Sequence, residues 1–193
     1  MGIILFSSCK RTVQNNPPDI QEQTISVSID SLISRKFGTT SFKKLNLSGT
    51  AVGLQNFALC YEPKMRKGGG IILALVSISK DSINVLFSSS LLDGSAENTS
   101  IAVINTPNDT TNKYIYFDTG DYLLGSSGGE MYIYLISINS PSLVMAHLIV
   151  ESSAPPKLFI DSNCPTAITK YLVNKSRADF PNLTRIKKDQ SID

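Results

Sequence analysis

At 193 residues the chain is long enough for one domain with a sizeable core and too short for two of ordinary size. Its 41% apolar and 18% charged residues exclude wholesale disorder, while 26 Ser, 13 Thr and 13 Asn weight it toward strands and turns over long helices. The net charge of +2 conceals a division: residues 1–70 carry 9 basic and 4 acidic groups, 71–150 carry 2 and 7, and 151–193 carry 7 and 5, so an anionic partner would meet the flanks and not the centre.

The first residues end in Leu5-Phe6-Ser7-Ser8-Cys9, which is similar to the signal box of bacterial lipoproteins. The apolar run ahead of that cysteine falls below the roughly 7–15 residues of a working signal, so as written it is not expected to act as one. Residues 1–20, closed by Asn15-Asn16-Pro17-Pro18, read as a flexible N-terminal arm. Residues 21–160 are expected to form the folded domain. Thr24-Ile25-Ser26-Val27-Ser28-Ile29-Asp30 alternates apolar and polar residues, which predicts a half-buried strand. Ser31 to Leu47 fits a short helix or an irregular crossover. Val52 to Tyr61 is the next strand, leading into the cationic loop Glu62 to Gly70.

Beyond that loop the strand pattern is dense. Ile71 to Ile78, Ile83 to Phe87, Ser100 to Ile104, Tyr114 to Phe117, Glu130 to Ile138 and Leu143 to Val150 are each bounded by Asp, Asn, Gly, Ser or Pro turns. With the two strands before the glycines, the reading is an all-β fold: an antiparallel, jelly-roll-like sandwich of about eight strands with a short C-terminal helix. Ile71 to Val76 and Met131 to Ile136 are apolar on both faces and should be central strands covered on both sides. After Pro155-Pro156 the pattern changes. Ser162 or Asn163 should cap a helix with Pro165 in its first turn, continuing through Ile168 and Leu172 toward Arg177. Residues 161–193 are thus a short helix and a basic tail, with Asn182 to Asp193 solvated. No apolar stretch approaches the 18 or so residues of a membrane-spanning helix.

Catalytic patterns are weak. Gly125-Ser126-Ser127-Gly128-Gly129 matches the G-x-S-x-G nucleophile turn, but a strand follows it where that turn needs a helix, and Glu130 is the only acid between Ser127 and the sole histidine, His147. His147 sits in an apolar strand and reads as a core or face residue. Cys9, Cys60 and Cys164 are too widely spaced for a zinc site or a compact disulfide framework, which suggests free thiols. Gly68-Gly69-Gly70 lacks the lysine and the helix of a phosphate loop. Asp118 and Asp121 flank Thr119-Gly120 in ordinary turn chemistry. Sequons at Asn46, Asn98, Asn108, Asn174 and Asn182 follow in large part from the Ser, Thr and Asn content. The expectation is a protein that is not an enzyme and needs no metal, cofactor or small-molecule substrate.

What remains is binding. Arg35, Lys36, Lys43, Lys44, Lys64, Arg66 and Lys67 fall in or beside loops, with Phe37, Phe42 and Tyr61 interleaved. Cations that neutralise phosphates give sequence-independent affinity, and aromatic rings stack on unpaired bases.

The runs Ile71 to Ile78, Ile83 to Gly94 and Ser100 to Asn105, followed by Gly125 to Ile138, resemble the core of the "30K" superfamily of plant-virus movement proteins. That family has a glycine-rich lead-in, two hydrophobic strands, a polar turn and a strand ending in an acidic residue, the position held here by Asn105. The resemblance implies a non-enzymatic protein that binds single-stranded RNA or viral nucleoprotein and aids cell-to-cell transport through plasmodesmata from the host cell cytoplasm. Self-association and peripheral membrane contact are further partner classes. Two alternatives stay open: a capsid-like or matrix-like self-assembling protein, and a bacterial surface lipoprotein anchored to the outer membrane through Cys9.

Overall fold

The computed structural model describes residues 28–47, 55–64, 69–79, 82–106, 109–120 and 128–187. The arm 1–20, Cys9, Thr24 to Val27, Arg66, Lys67, Asn108, Asp121, Gly125 to Ser127 and residues 188–193 lie outside them. In chain order the elements are α1 (Ile29–Phe37), β1 (Phe42–Leu47), β2 (Gln55–Tyr61), β3 (Ile72–Ser79), β4 (Ser82–Ser88), β5 (Ser100–Thr106), β6 (Asp109–Asp118), β7 (Gly129–Ser137), β8 (Leu143–Glu151), β9 (Ala154–Ile160), α2 (Thr166–Asp179) and β10 (Thr184–Lys187).

The strands form a four-stranded sheet, β1-β2-β3-β4, and a six-stranded sheet, β10-β9-β8-β7-β6-β5. All neighbours pair antiparallel except β9 and β10, which are parallel. The mostly-β character and the C-terminal helix agree with the sequence. Each sheet is built from strands that neighbour one another in the chain, the exception being the step from β9 through α2 to β10.

Three apolar clusters explain the layering. Ala58, Cys60, Leu73 and Leu75 of the smaller sheet meet Ile115, Phe117, Tyr134 and Ile136 of the larger one between the sheets. Leu32 and Ile33 of α1 cover Phe57, Leu59, Ala74 and Val76 on the outer face of the smaller sheet. Ile168, Leu172 and Val173 of α2 cover Ile133, Leu135, Leu148 and Leu158 on the outer face of the larger. The order is helix, sheet, sheet, helix. The two-faced apolar runs therefore landed where their composition requires, since β3 and β7 are inner strands buried on both sides.

Four expectations need correction. Ile29 and Asp30 are helical, because Ser28 caps α1 by accepting the Ser31 amide at 3.2 Å, and Gly38, at φ 63°, ends it in the left-handed conformation. Ile29, Leu32, Ile33 and Phe37 then form a helical stripe that outweighs two residues of alternation. No strand was expected from Pro155 onward, yet Pro155 and Pro156 stand at the start of β9, where residues without an amide donor are tolerated. Pro165 is the residue preceding α2, with no side-chain cap, and not a member of its first turn. Thr184 to Lys187 is not solvated tail but the strand β10, the tenth among the described residues.

Candidate functional site

Of the basic residues, Arg35 and Lys36 occupy the last turn of α1, where cations suit the negative end of the helix. With Leu32, Ser82 and Ile83 they line a groove of about 420 Å³. Lys43 and Lys44 are separated by strand alternation. The Lys44 ammonium pairs with Asp30 on α1, and the Lys43 ammonium donates to the Glu97 carbonyl in the connection from β4 to β5. Lys64 is exposed at the turn after β2. Among the described residues, the structure thus groups Arg35 and Lys36 and divides Lys43, Lys44 and Lys64. The interleaved aromatics serve the core: Phe37 packs on Tyr61 with ring centroids 4.7 Å apart, and Phe42 packs against the α1 cluster.

Some of the patterns weighed for catalysis lie among the described residues. Asp118 accepts from the Gly120 amide at 3.1 Å and from the Tyr116 hydroxyl at 3.0 Å, which makes it a turn-closing carboxylate. Cys60 is buried between the sheets, and burial pushes its thiol up to about 11, the opposite of an activated nucleophile. Among the described residues, no group of three or more His, Cys, Asp and Glu is placed to hold a metal ion.

Strand register creates a different site. Tyr132 on β7 lies opposite His147 on β8, which lies opposite Phe159 on β9. Glu130, Ile149 and Lys157 form the parallel row on one side. Tyr134 and Met145 begin the row on the other, continued by Asp161, whose amide donates to the Met145 carbonyl at 3.1 Å. Because side chains alternate along a strand, all three rows face the smaller sheet. Among the described residues that sheet has four strands, and its β1 edge contacts β5, so the six-stranded sheet extends past β4 and no described strand covers part of this face. The result is a cleft of about 320 Å³ whose lining includes Tyr132, Met145, His147, Ile149, Phe159 and Asp161.

The middle row is ordered by its own contacts. The Tyr132 and His147 rings stack at 4.4 Å with 8° between their planes, and Phe159 stands 6.2 Å from His147 at 34°. His147 Nε2 lies 3.1 Å from Glu130 Oε2, and the Tyr132 hydroxyl donates to the same oxygen at 3.1 Å. Burial, and after it the bond to Glu130, pushes the Tyr132 phenol up to about 12. Asp161 Oδ2 accepts the Met145 amide at 3.0 Å. Lys157 is matched by Glu151 at 3.6 Å. Rings and carboxylates thus fix one another in an apolar depression open to solvent.

Glu130 and His147, set aside in the sequence for want of a serine-hydrolase order, do meet in space. Phe159 carried no signal at all. The chain shows alternating aromatics on single strands, but which of them line up depends on turn lengths and pairing. No family model matches the chain, and neither a curated protein nor a solved structure matches it.

Proposed function

We propose that this protein is a non-enzymatic binding module whose ligand places an apolar group in the cleft over β7, β8 and β9. One observation carries the reading: the Tyr132, His147 and Phe159 row lies on a sheet face that the smaller sheet does not cover. A volume of about 320 Å³ is at the lower end for small-ligand clefts. Apolar burial contributes about 25 cal/mol per Å², and the Tyr132 and His147 rings are already ordered by Glu130, so little of their conformational freedom is lost on binding. The cleft side chains offer surface and orientation, with no serine, threonine or cysteine among the described residues that line it.

The test is a fluorescence titration with N-phenyl-1-naphthylamine, a neutral apolar probe, read without interference because the chain has no Trp. Saturable one-to-one binding is expected, weakened about tenfold in Phe159→Ser, the equivalent of about 1.4 kcal/mol. A linear, unsaturable signal, or one that Phe159→Ser leaves untouched, removes the cleft reading.

A second reading is sequence-independent binding of single-stranded nucleic acid at the α1 end, the activity implied by the resemblance to movement proteins. It is favoured by Arg35 and Lys36, which open on a groove and enter no ion pair with a described residue. Filter binding of single-stranded RNA across salt concentrations tests it. The Arg35→Ala, Lys36→Ala double variant should flatten the salt slope by about 2. Salt-independent or absent retention of RNA would eliminate this reading.

A further inference from the structure

We infer that the occupant of the cleft is an extended segment of a partner protein, added as the next strand beside β4, with apolar side chains at alternate positions and an acidic residue at its C-terminal end; this rests on the cleft being a binding site, as proposed above. Among the described residues β4 pairs with β3 alone, so its other side presents backbone amides and carbonyls with no strand beside them. Ser82–Ser88 contains neither a charged residue nor a proline, the devices that blunt an exposed edge. The other edges are protected: Lys43 and Lys44 stand on β1, Arg185 and Lys187 on β10, and β5 meets β1 where the sandwich closes. Val85 and Leu86 on β4 are 36% and 49% exposed, two of the three large apolar side chains among the described residues that face solvent to this extent.

The edge and the cleft are parts of one site. Phe87 of β4 packs against the cluster between the sheets that Tyr132 and Met145 of the cleft also join. The larger sheet extends past β4 there, so a strand bonded to β4 lies over the cleft and turns every second side chain down onto Tyr132, Met145 and Phe159. Main-chain bonds then supply affinity, and the apolar depression reads alternate side chains. Leu75 pairs with Phe87 and Val76 with Val85, which makes Leu86 an extra residue in β4. That bulge leaves Ser82 to Val85 as the regular run against which the added segment pairs.

The overhang of the larger sheet also selects the occupant. A second folded copy that brought its own β4 alongside would drive its projecting larger sheet into that of the first copy or into α1, whereas a bare extended segment has no such bulk. The chain itself enters α1 on the β1 side, where Asp30 pairs with Lys44, and not beside β4. Charge completes the match. Arg35 and Lys36 line a groove with Ser82 and Ile83 at the start of β4 and enter no ion pair with a described residue. In antiparallel pairing, the more stable geometry per residue, the C-terminal end of the added segment lies beside Ser82. An acidic side chain at that end, turned toward α1, meets both cations.

A synthetic peptide matched to the seven residues of β4, alternating Val and Thr and closed by Asp at its C-terminal end, tests the inference on the full chain. Saturable one-to-one binding by calorimetry is expected, with displacement of N-phenyl-1-naphthylamine from the cleft. Methylating alternate backbone nitrogens, which keeps the side chains and removes the donors facing β4, should weaken the peptide about tenfold. Replacing its terminal Asp by Lys should weaken it about threefold at low salt, a difference that the Arg35→Ala, Lys36→Ala double variant removes. Equal affinity of the methylated peptide overturns strand addition, and equal affinity of the Lys-ended peptide overturns the acidic end. Failure of every peptide while the dye still binds, the result expected if a second copy or another part of the chain held the edge, overturns the inference and leaves the cleft as a binding site. Failure of the peptides and of the dye overturns both.

Discussion

Phe117 and Phe159 separate the enclosed face of the larger sheet from its open face. Phe117 is 0% exposed on β6, packed between the sheets with Ala58, Cys60, Leu73 and Tyr134. Phe159 on β9 is only partly buried and borders the cleft. Truncation of a fully enclosed phenylalanine costs about 3–5 kcal/mol, because the cavity left behind adds to the lost transfer energy. Phe117→Ala should therefore lower Tm by about 10 °C in a chain of this size, at about 2–4 °C per kcal/mol. Phe159→Ala leaves no closed cavity, so its cost should be about 1 kcal/mol, most of it from lost contact with His147. Urea unfolding followed by circular dichroism measures both, and the comparison holds if the m value is unchanged. Equal losses for the two variants would refute the reasoning: a costly Phe159→Ala means the cleft face is covered, and a cheap Phe117→Ala means the sheets do not enclose a core there.

Other outcomes follow from single residues. The folded-state pKa of Tyr132 is raised from 10.0 to about 12, so its contribution to stability is complete below pH 10 and is lost as pH rises toward 12. Tyr132→Phe should flatten stability over that window in denaturation at a series of pH values, and an undiminished decline would assign it to another group. Cys60 should resist iodoacetamide in the native protein and react only after unfolding, whereas the partly exposed Cys164 is alkylated first, as peptide mapping would show. Early labelling of Cys60 would contradict its burial between the sheets. Gly128 has φ 105°, and a Cβ there would lie 2.0 Å from the Val150 carbonyl oxygen. Gly128→Ala should thus cost more than about 2 kcal/mol by urea unfolding, and a neutral substitution would mean that β7 and β8 do not meet as described.

The strands were readable because their chemistry is local. The apolar runs at Ile71 and Met131 are dense enough to predict inner strands, and both became inner strands. Elements that depend on distant partners were not readable. β10 has only four residues, Thr184–Lys187, and exists because α2 returns the chain alongside β9. α1 was obscured because Ile29 fits both a period of two and a helical stripe, and Ser28 and Gly38 decide between them. The charge division suggested an anion-binding periphery, yet Lys43 and Lys44 are engaged by Glu97 and Asp30 within the fold. His147 was expected to be a core or face residue, and it lies half-buried on the face of the larger sheet turned toward the smaller one. Its importance comes from Glu130, Tyr132 and Phe159, which only β-sheet register brings to it.

The most direct measurement of the central claim is a ¹³C-methyl NMR titration with N-phenyl-1-naphthylamine. The account predicts saturating shifts of the Met145 and Ile149 methyl signals, with the signals of Leu32 and Ile83 near the α1 groove unmoved. Shifts centred on Leu32 and Ile83, or uniform shifts with no focus on β8, would contradict it.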